Sequence, residues 1–308
     1  MQVQSIQHYG TERWGCLRTV MLHSPRESIK QMNNITTGYY LFDSIPDVGK
    51  YLAEHAAYKK LLQSHNIEVL ELSDYVQYHK SFMDTLPSLA YLHDIAVITR
   101  KGAILSQMGG GRQGEEIVVK EALTRLEIPL FHEFSSIDHF EGCLLLSPEI
   151  ILIVCTERHH RQSIENLIPK VLTLFDEVIY VEAPKARRFM HADMIYGQVN
   201  KNLALAFLPA FLSVFHITNQ RSEPIDFKSF MASREIEIID VSDQEQKNWA
   251  CSFVPLKQNV IFHYDIALSA QTKKVLYGKG VEIIEFHPNA ILAGGGSLRC
   301  LTLQIFRQ

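Results

Sequence analysis

The chain has 308 residues, 46% hydrophobic and 21% charged, which is ordinary globular composition. A formal net charge of −4 and a pI near 6.4 give no basis for nucleic acid or an anionic membrane as partner. Five cysteines, at 16, 143, 155, 251 and 300, form an odd set without a CxxC pair, which argues against a disulfide framework and a structural zinc site, and for a reducing, cytoplasmic setting.

In chain order, Met1–Gly15 lacks an apolar signal core, and Trp14–His23 reads as a strand. Asp47–Ser64 has helical periodicity, with Leu52, His55, Tyr58, Leu61 and Leu62 on one face. Asn66 suits a helix C-terminus, and Ile67–Leu72 alternates like a half-buried strand. The same helix-then-strand unit returns at Gly114–Leu126 with Ile128–Phe134, and at His159–Phe175 with Glu177–Glu182. It returns again at Asp226–Ser233 with Ile236–Val241, and at Ala267–Tyr277 with Val281–Phe286, where Gly278 and Gly280 end the helix. The longest apolar run, Leu203–Phe215, is too short to span a bilayer and contains Pro209. Five such units at a period of roughly fifty residues indicate a repeat architecture. Length alone suggests about two domains. The repetition instead favours a single domain over 1–308 in which each unit adds to a common core.

A second regularity bears on chemistry. Each unit's strand is followed by a loop, then a polar residue, then an apolar run. The polar residues are His93-Asp94, Glu141, His191-Ala192-Asp193, Ser252 and Cys300. Each alone reads as a strand cap or turn former. Recurrence at five equivalent addresses argues for more, because units arranged around an axis would bring a thiol, a histidine and carboxylates together. The cysteine stands out: Gly294-Gly295-Gly296-Ser297-Leu298-Arg299-Cys300 delivers one thiol to the root of the run Leu301–Phe306. The glycines permit backbone angles that other residues avoid and leave room for a ligand. The plain alternative is a bulge before a buried core cysteine.

These residues resemble the arginine deiminase and amidinotransferase superfamily, the guanidine-modifying pentein enzymes that include dimethylarginine dimethylaminohydrolase. Leu41-Phe42-Asp43 is similar to that family's LFD, Glu54-His55-Ala56-Ala57-Tyr58 to its EHDxF helix, and Tyr91-Leu92-His93-Asp94 to its FTRD. Arg112-Gln113-Gly114-Glu115-Glu116 resembles RRxEE, Glu141-Gly142 resembles EGGD, and Thr156-Glu157-Arg158 resembles SERT. His191-Ala192-Asp193 resembles HLD, and Gly294–Cys300 resembles the GGGxxxC terminus. Four departures lie beside the key positions. His93 replaces an Arg, Cys143 and Leu144 break EGGD, Ala192 is central in HLD, and Arg299 precedes the cysteine where a His is common.

The resemblance implies an α/β fold, a five-bladed α/β propeller of pseudo-fivefold ββαβ units. It also implies a hydrolase acting on arginine or a derivative, or an amidinotransferase sharing its covalent intermediate. A non-catalytic binding protein on the same scaffold is the third alternative. The implied catalytic residues are Cys300 as nucleophile, His191 as acid and base, and Glu141 orienting His191. Asp94 and Asp193 would hold the planar guanidinium, and Arg112 and Arg158 a substrate carboxylate. The partner implied is a small guanidino molecule such as arginine, without cofactor, metal, nucleic acid or membrane; a homo-oligomer is admitted.

Other features read plainly. Gly109-Gly110-Gly111-Arg112 lacks the GK[ST] ending of a phosphate loop. Adjacent His159 and His160 diverge on a helix and make a poor metal pair. Cys143 suits core packing better than a second reactive thiol.

Overall fold

The computed structural model describes residues 6–308; residues 1–5, part of the stretch read for a signal core, lie outside the described residues. Among the described residues five sheets form, and all five contain the same motif. An antiparallel pair supplies two strands, a helix crosses over, and a third strand then lies parallel to the second. The strand sets are Leu303–Arg307 with Leu17–Leu22 and Glu68–Glu71; Ala96–Thr99 with Gly102–Leu105 and Leu130–Glu133; and Leu144–Leu145 with Ile150–Cys155 and Glu177–Glu182. They continue with Tyr196–Asn200, Leu203–Ala206 and Glu237–Asp240, and with Val254–Lys257, Val260–Tyr264 and Glu282–Phe286. Ser213–Ile217 and Ser222–Pro224 extend the third sheet.

The crossover helices are Val48–Ser64 (α1 below), Glu115–Arg125, Arg161–Val171, Phe227–Ser233 and Ala270–Gly278. Side-chain oxygens of Asp47, Asp226 and Ser269 cap three of their N-termini. Their exits repeat more closely still. Asn66, Glu127, Glu235 and Gly280 all take positive φ, two or three residues before the strand that follows. The next N–H then reaches back to the helix: Ile67 to Leu62, Ile128 to Leu123, Ile236 to Met231 and Val281 to Leu276. This back-reaching bond satisfies an orphan helix carbonyl, and a left-handed residue is needed to make it. The expected helices and third strands thus lie where the periodicity placed them.

The middle strands were less visible. Gly102–Leu105, Ile150–Cys155, Leu203–Ala206 and Val260–Tyr264 are buried along their whole length. A strand covered on both faces has no reason to alternate, so it leaves no period-two signal.

The described chain packs as two compact units. The first comprises Leu17–Ser136, His287–Arg307 and the described part of Met1–Thr11; the second is essentially Ile137–Phe286 with Glu12–Cys16 and Gln308. In the first, Met21, Ile98, Leu105, Val119, Leu123 and Ile305 belong to one buried apolar cluster. Among the described residues no helix is long and apolar enough to cross a membrane.

Candidate active site

The polar residues of the repeated pattern lie just before strands. Asp94 ends a turn before Ala96–Thr99, and Glu141 precedes Leu144–Leu145. Asp193 lies in a turn before Tyr196–Asn200, Ser252 precedes Val254–Lys257, and Cys300 precedes Leu303–Arg307.

In the first unit the His93 N–H donates to the Cys300 carbonyl at 3.0 Å, joining the Asp94 turn to the cysteine turn. Arg299 Nε also donates to His93 Nε2 at 3.2 Å. The Asp94 carboxylate receives Arg112 Nη1 at 3.1 Å. The same guanidinium reaches Glu115 at 2.9 Å and the Tyr91 carbonyl at 2.6 Å. Arg112, Asp94 and Glu115 are all buried, so this RRxEE-like segment serves as a clamp on Asp94.

The cysteine loop is braced by α1. Residues three and four apart share a helix face, and Tyr51, Glu54 and Tyr58 use that face in turn. The Tyr51 hydroxyl donates to the Tyr91 hydroxyl at 3.2 Å. Glu54 accepts the N–H groups of Asn289, Ala290 and Ile291 at 3.0, 2.8 and 3.0 Å. The Tyr58 hydroxyl lies 2.7 Å from Thr302 Oγ1, which donates to the Leu298 carbonyl at 2.7 Å. The loop is therefore held before, beside and after the thiol.

The glycines have a use other than the one expected. A Cβ on Gly294 would lie 1.5 Å from the Tyr91 hydroxyl oxygen, and one on Gly296 would lie 2.5 Å from the Tyr91 ring. The room they leave is filled by Tyr91, and only Gly295 needs positive φ. Cys300 Sγ lies 3.4 Å from Ser297 Oγ, whose oxygen also accepts the N–H groups of Arg299 and Cys300 at 3.1 and 3.3 Å. A hydroxyl donor at sulfur stabilises the thiolate, the nucleophilic form of cysteine.

In the second unit Glu141 is held by the Arg158 fork, at 2.9 Å to Oε2 and 2.6 Å to Oε1. His191 Nε2 lies 2.8 Å from Glu141 Oε2. Burial alone would raise the Glu141 carboxyl. The His191 hydrogen bond and the charges of His191 and Arg158 outweigh it and hold the group well below the usual carboxylate range. A carboxylate that stays ionised fixes the imidazole's orientation. Asp193 is buried and accepts the Ser252 hydroxyl, so the fourth address serves the third.

Two expectations need adjusting. Arg112 and Arg158 were assigned to a substrate carboxylate, yet the carboxylates they meet here are Asp94 with Glu115, and Glu141. Asp94, expected with Asp193 to hold a substrate guanidinium, already carries the Arg112 guanidinium of its own unit. Cys143 is buried as expected of core packing, and burial pushes its thiol up to about 12. Tyr51, Glu54, Tyr58, Tyr91, Ser297 and Thr302 were not singled out. Glu54, Tyr58, Tyr91 and Ser297 stood inside quoted motifs, but nothing in them signalled what they touch.

Repeated ββαβ sheets, with a braced thiol at one sheet entrance and a Glu–His pair at others, define the class: guanidine-modifying enzymes of the pentein fold. The arginine deiminase family model matches residues 74–307, and the chain belongs to that family of enzymes. It is 25% identical over 297 residues to the uncharacterised YkgA of Bacillus subtilis, covering 96% of this chain and 93% of that one. It is 20% identical over 387 residues to the arginine deiminase of Mycoplasma capricolum, covering 96% of each. The N-terminal domain of ArgZ, a cyanobacterial arginine dihydrolase, matches with a TM-score of 0.71 at 18% identity over 94% of this chain and 97% of that domain. Unliganded AgrE matches with a TM-score of 0.71 at 17% identity over 94% of this chain; this chain spans only 39% of AgrE. At such identities the structural likeness shows the shared fold, and the expected α/β propeller class is borne out.

Proposed function

We propose that this protein hydrolyses the guanidino group of arginine or an arginine derivative through a covalent intermediate on Cys300. The observation that carries the reading is the Cys300 turn. It is braced by α1, has a hydroxyl at its sulfur, and is hydrogen-bonded through its carbonyl to the Asp94 turn, in a chain of the arginine deiminase family. Support comes also from the ArgZ N-terminal domain, which has been captured covalently bonded to a reaction intermediate.

In this reading Asp94 and Asp193 hold the guanidinium, whose delocalised charge makes its central carbon a poor electrophile. The Cys300 thiolate attacks that carbon, and His191 gives a proton to the departing ammonia or amine. The carbon then carries an S-alkylthiouronium. His191 next takes a proton from water, which attacks the same carbon, and the C–S bond breaks to release the ureido product and the thiolate. Glu141 keeps His191 in the correct tautomer, Arg112 and Arg158 fix Asp94 and Glu141, and the whole chain acts as one catalytic domain.

Incubation with L-arginine, with and without glycine, tests this. Ammonia with citrulline supports hydrolysis. Ornithine with guanidinoacetate would replace it with amidino transfer, and no turnover of any guanidine would remove it.

A further inference from the structure

We propose that His159 and Thr156 form a positioning relay that holds Glu141 and His191 to each other. Its catalytic consequence rests on the hydrolase reading, whereas the relay itself does not. His159 is buried, and its ring spans the two segments that carry the pair. Nε2 accepts the N–H of Glu141 itself at 3.2 Å. Nδ1 lies 2.9 Å from Thr156 Oγ1, and that hydroxyl is 2.5 Å from the carbonyl of Met190, the residue before His191.

The proton count fixes the directions. Thr156 has one hydroxyl proton, and the Met190 carbonyl can only accept it. Oγ1 also accepts the Arg158 N–H at 3.1 Å and keeps its second lone pair for Nδ1–H, which leaves Nε2 to accept from Glu141. The Thr156 N–H also approaches Nδ1, but at 3.3 Å it is the longer contact. The neutral ring this requires is the one burial favours: burial pushes His159 down to about 3, against the pull of Glu141 and the Gly142 backbone. Two further contacts keep the relay in place. The Phe140 and His159 rings meet edge to face at 5.0 Å, and Lys185 Nζ donates to the Thr156 carbonyl at 3.0 Å.

Glu141 and His191 lie fifty residues apart in sequence. Their side chains meet directly, but a direct contact between two rotatable groups does not set where their backbones stand. The relay ties backbone to backbone: Glu141 N–H, His159, Thr156, Met190 carbonyl. A histidine that bridges in this way positions the base without touching substrate.

The test compares Thr156→Val, which keeps shape and removes the hydroxyl, with Thr156→Ser, which keeps the hydroxyl. The first readout needs no substrate. It is the downfield proton resonance of the His191–Glu141 hydrogen bond, assigned by its loss in His191→Asn. It should be lost, or exchange about tenfold faster, in Thr156→Val and persist in Thr156→Ser. The second is turnover of L-arginine. kcat should fall about tenfold to a hundredfold in Thr156→Val with KM within about twofold, since misplacing a catalytic group by about an ångström costs that much. His159→Asn should behave alike, and the double variant should be no worse than the poorer single, because both break one chain. If Thr156→Val does not fold, His159→Asn carries the same readouts. An unchanged resonance in the folded variants, or equal damage from Val and Ser, would overturn the relay. If the wild-type protein does not act on arginine, the hydrolase reading falls while the resonance still decides the relay.

Discussion

Arg112→Met separates a structural role for this arginine from a substrate-binding one. Methionine roughly preserves the aliphatic volume and removes every donor. Arg112 bonds Asp94 at 3.1 Å, Glu115 at 2.9 Å and the Tyr91 carbonyl at 2.6 Å, with both carboxylates buried. The substitution therefore leaves two buried carboxylates without their cation. Removing one partner of a buried ion pair costs about 3–5 kcal/mol, because the remaining charge is desolvated and uncompensated. That is a fifth or more of the ~5–15 kcal/mol that holds a domain folded. Arg112→Lys restores a charge but not the fork, so it should recover only part of the loss. Urea denaturation at neutral pH, followed by tryptophan fluorescence and circular dichroism, measures both variants. A loss under about 1 kcal/mol for Arg112→Met would refute the clamp and return Arg112 to the substrate.

Cys300→Ser should lower arginine turnover by well over a hundredfold and leave thermal unfolding unchanged within a few degrees, because an alcohol replaces a thiolate; activity above a hundredth of wild type would reject the nucleophile. Gly294→Ala should cost about 1–3 kcal/mol, because its Cβ would meet the Tyr91 hydroxyl oxygen at 1.5 Å. Adding Tyr91→Phe should recover part of that loss, and no recovery in the double variant would show that the hydroxyl is not what the glycine accommodates. Acid should destabilise the protein early. Burial holds His23, His55 and His263 at about 4, below their unfolded value of 6.5. A depressed histidine binds its proton more tightly when unfolded, so its contribution is complete above pH 6.5 and is lost as pH falls toward 4. Each can supply up to about 3 kcal/mol across that window, and urea midpoints measured from pH 7 to 4 should fall steeply; a flat profile would contradict it.

What could be read from sequence followed physical rules. Helices exposed on one face and half-buried third strands carry a period, so Asp47–Ser64 and Ile236–Val241 were found close to their observed bounds. The middle strands carry none, and Ile150–Cys155 was passed over although it is wholly buried. The addresses of Asp94, Glu141, Asp193 and Cys300 were legible because each lies at the same turn of a repeated unit. The partners of these residues were not. Nothing in the order of residues shows that Arg112 folds back onto Asp94, or that Tyr91 occupies the space left by Gly294 and Gly296. Two departures beside the key positions, His93 and Arg299, turn out to contact each other, so neither can be interpreted alone.

Covalent catalysis at Cys300 is tested most directly by rapid acid quench of the enzyme during turnover of L-arginine, followed by peptide mass spectrometry. The account predicts that the peptide holding Cys300 gains the mass of arginine less ammonia, that the adduct forms and decays at rates matching turnover, and that Cys300→Ser shows none. Turnover of arginine with no adduct on that peptide at any quench time, or an adduct on Cys16, Cys143, Cys155 or Cys251 instead, would contradict it.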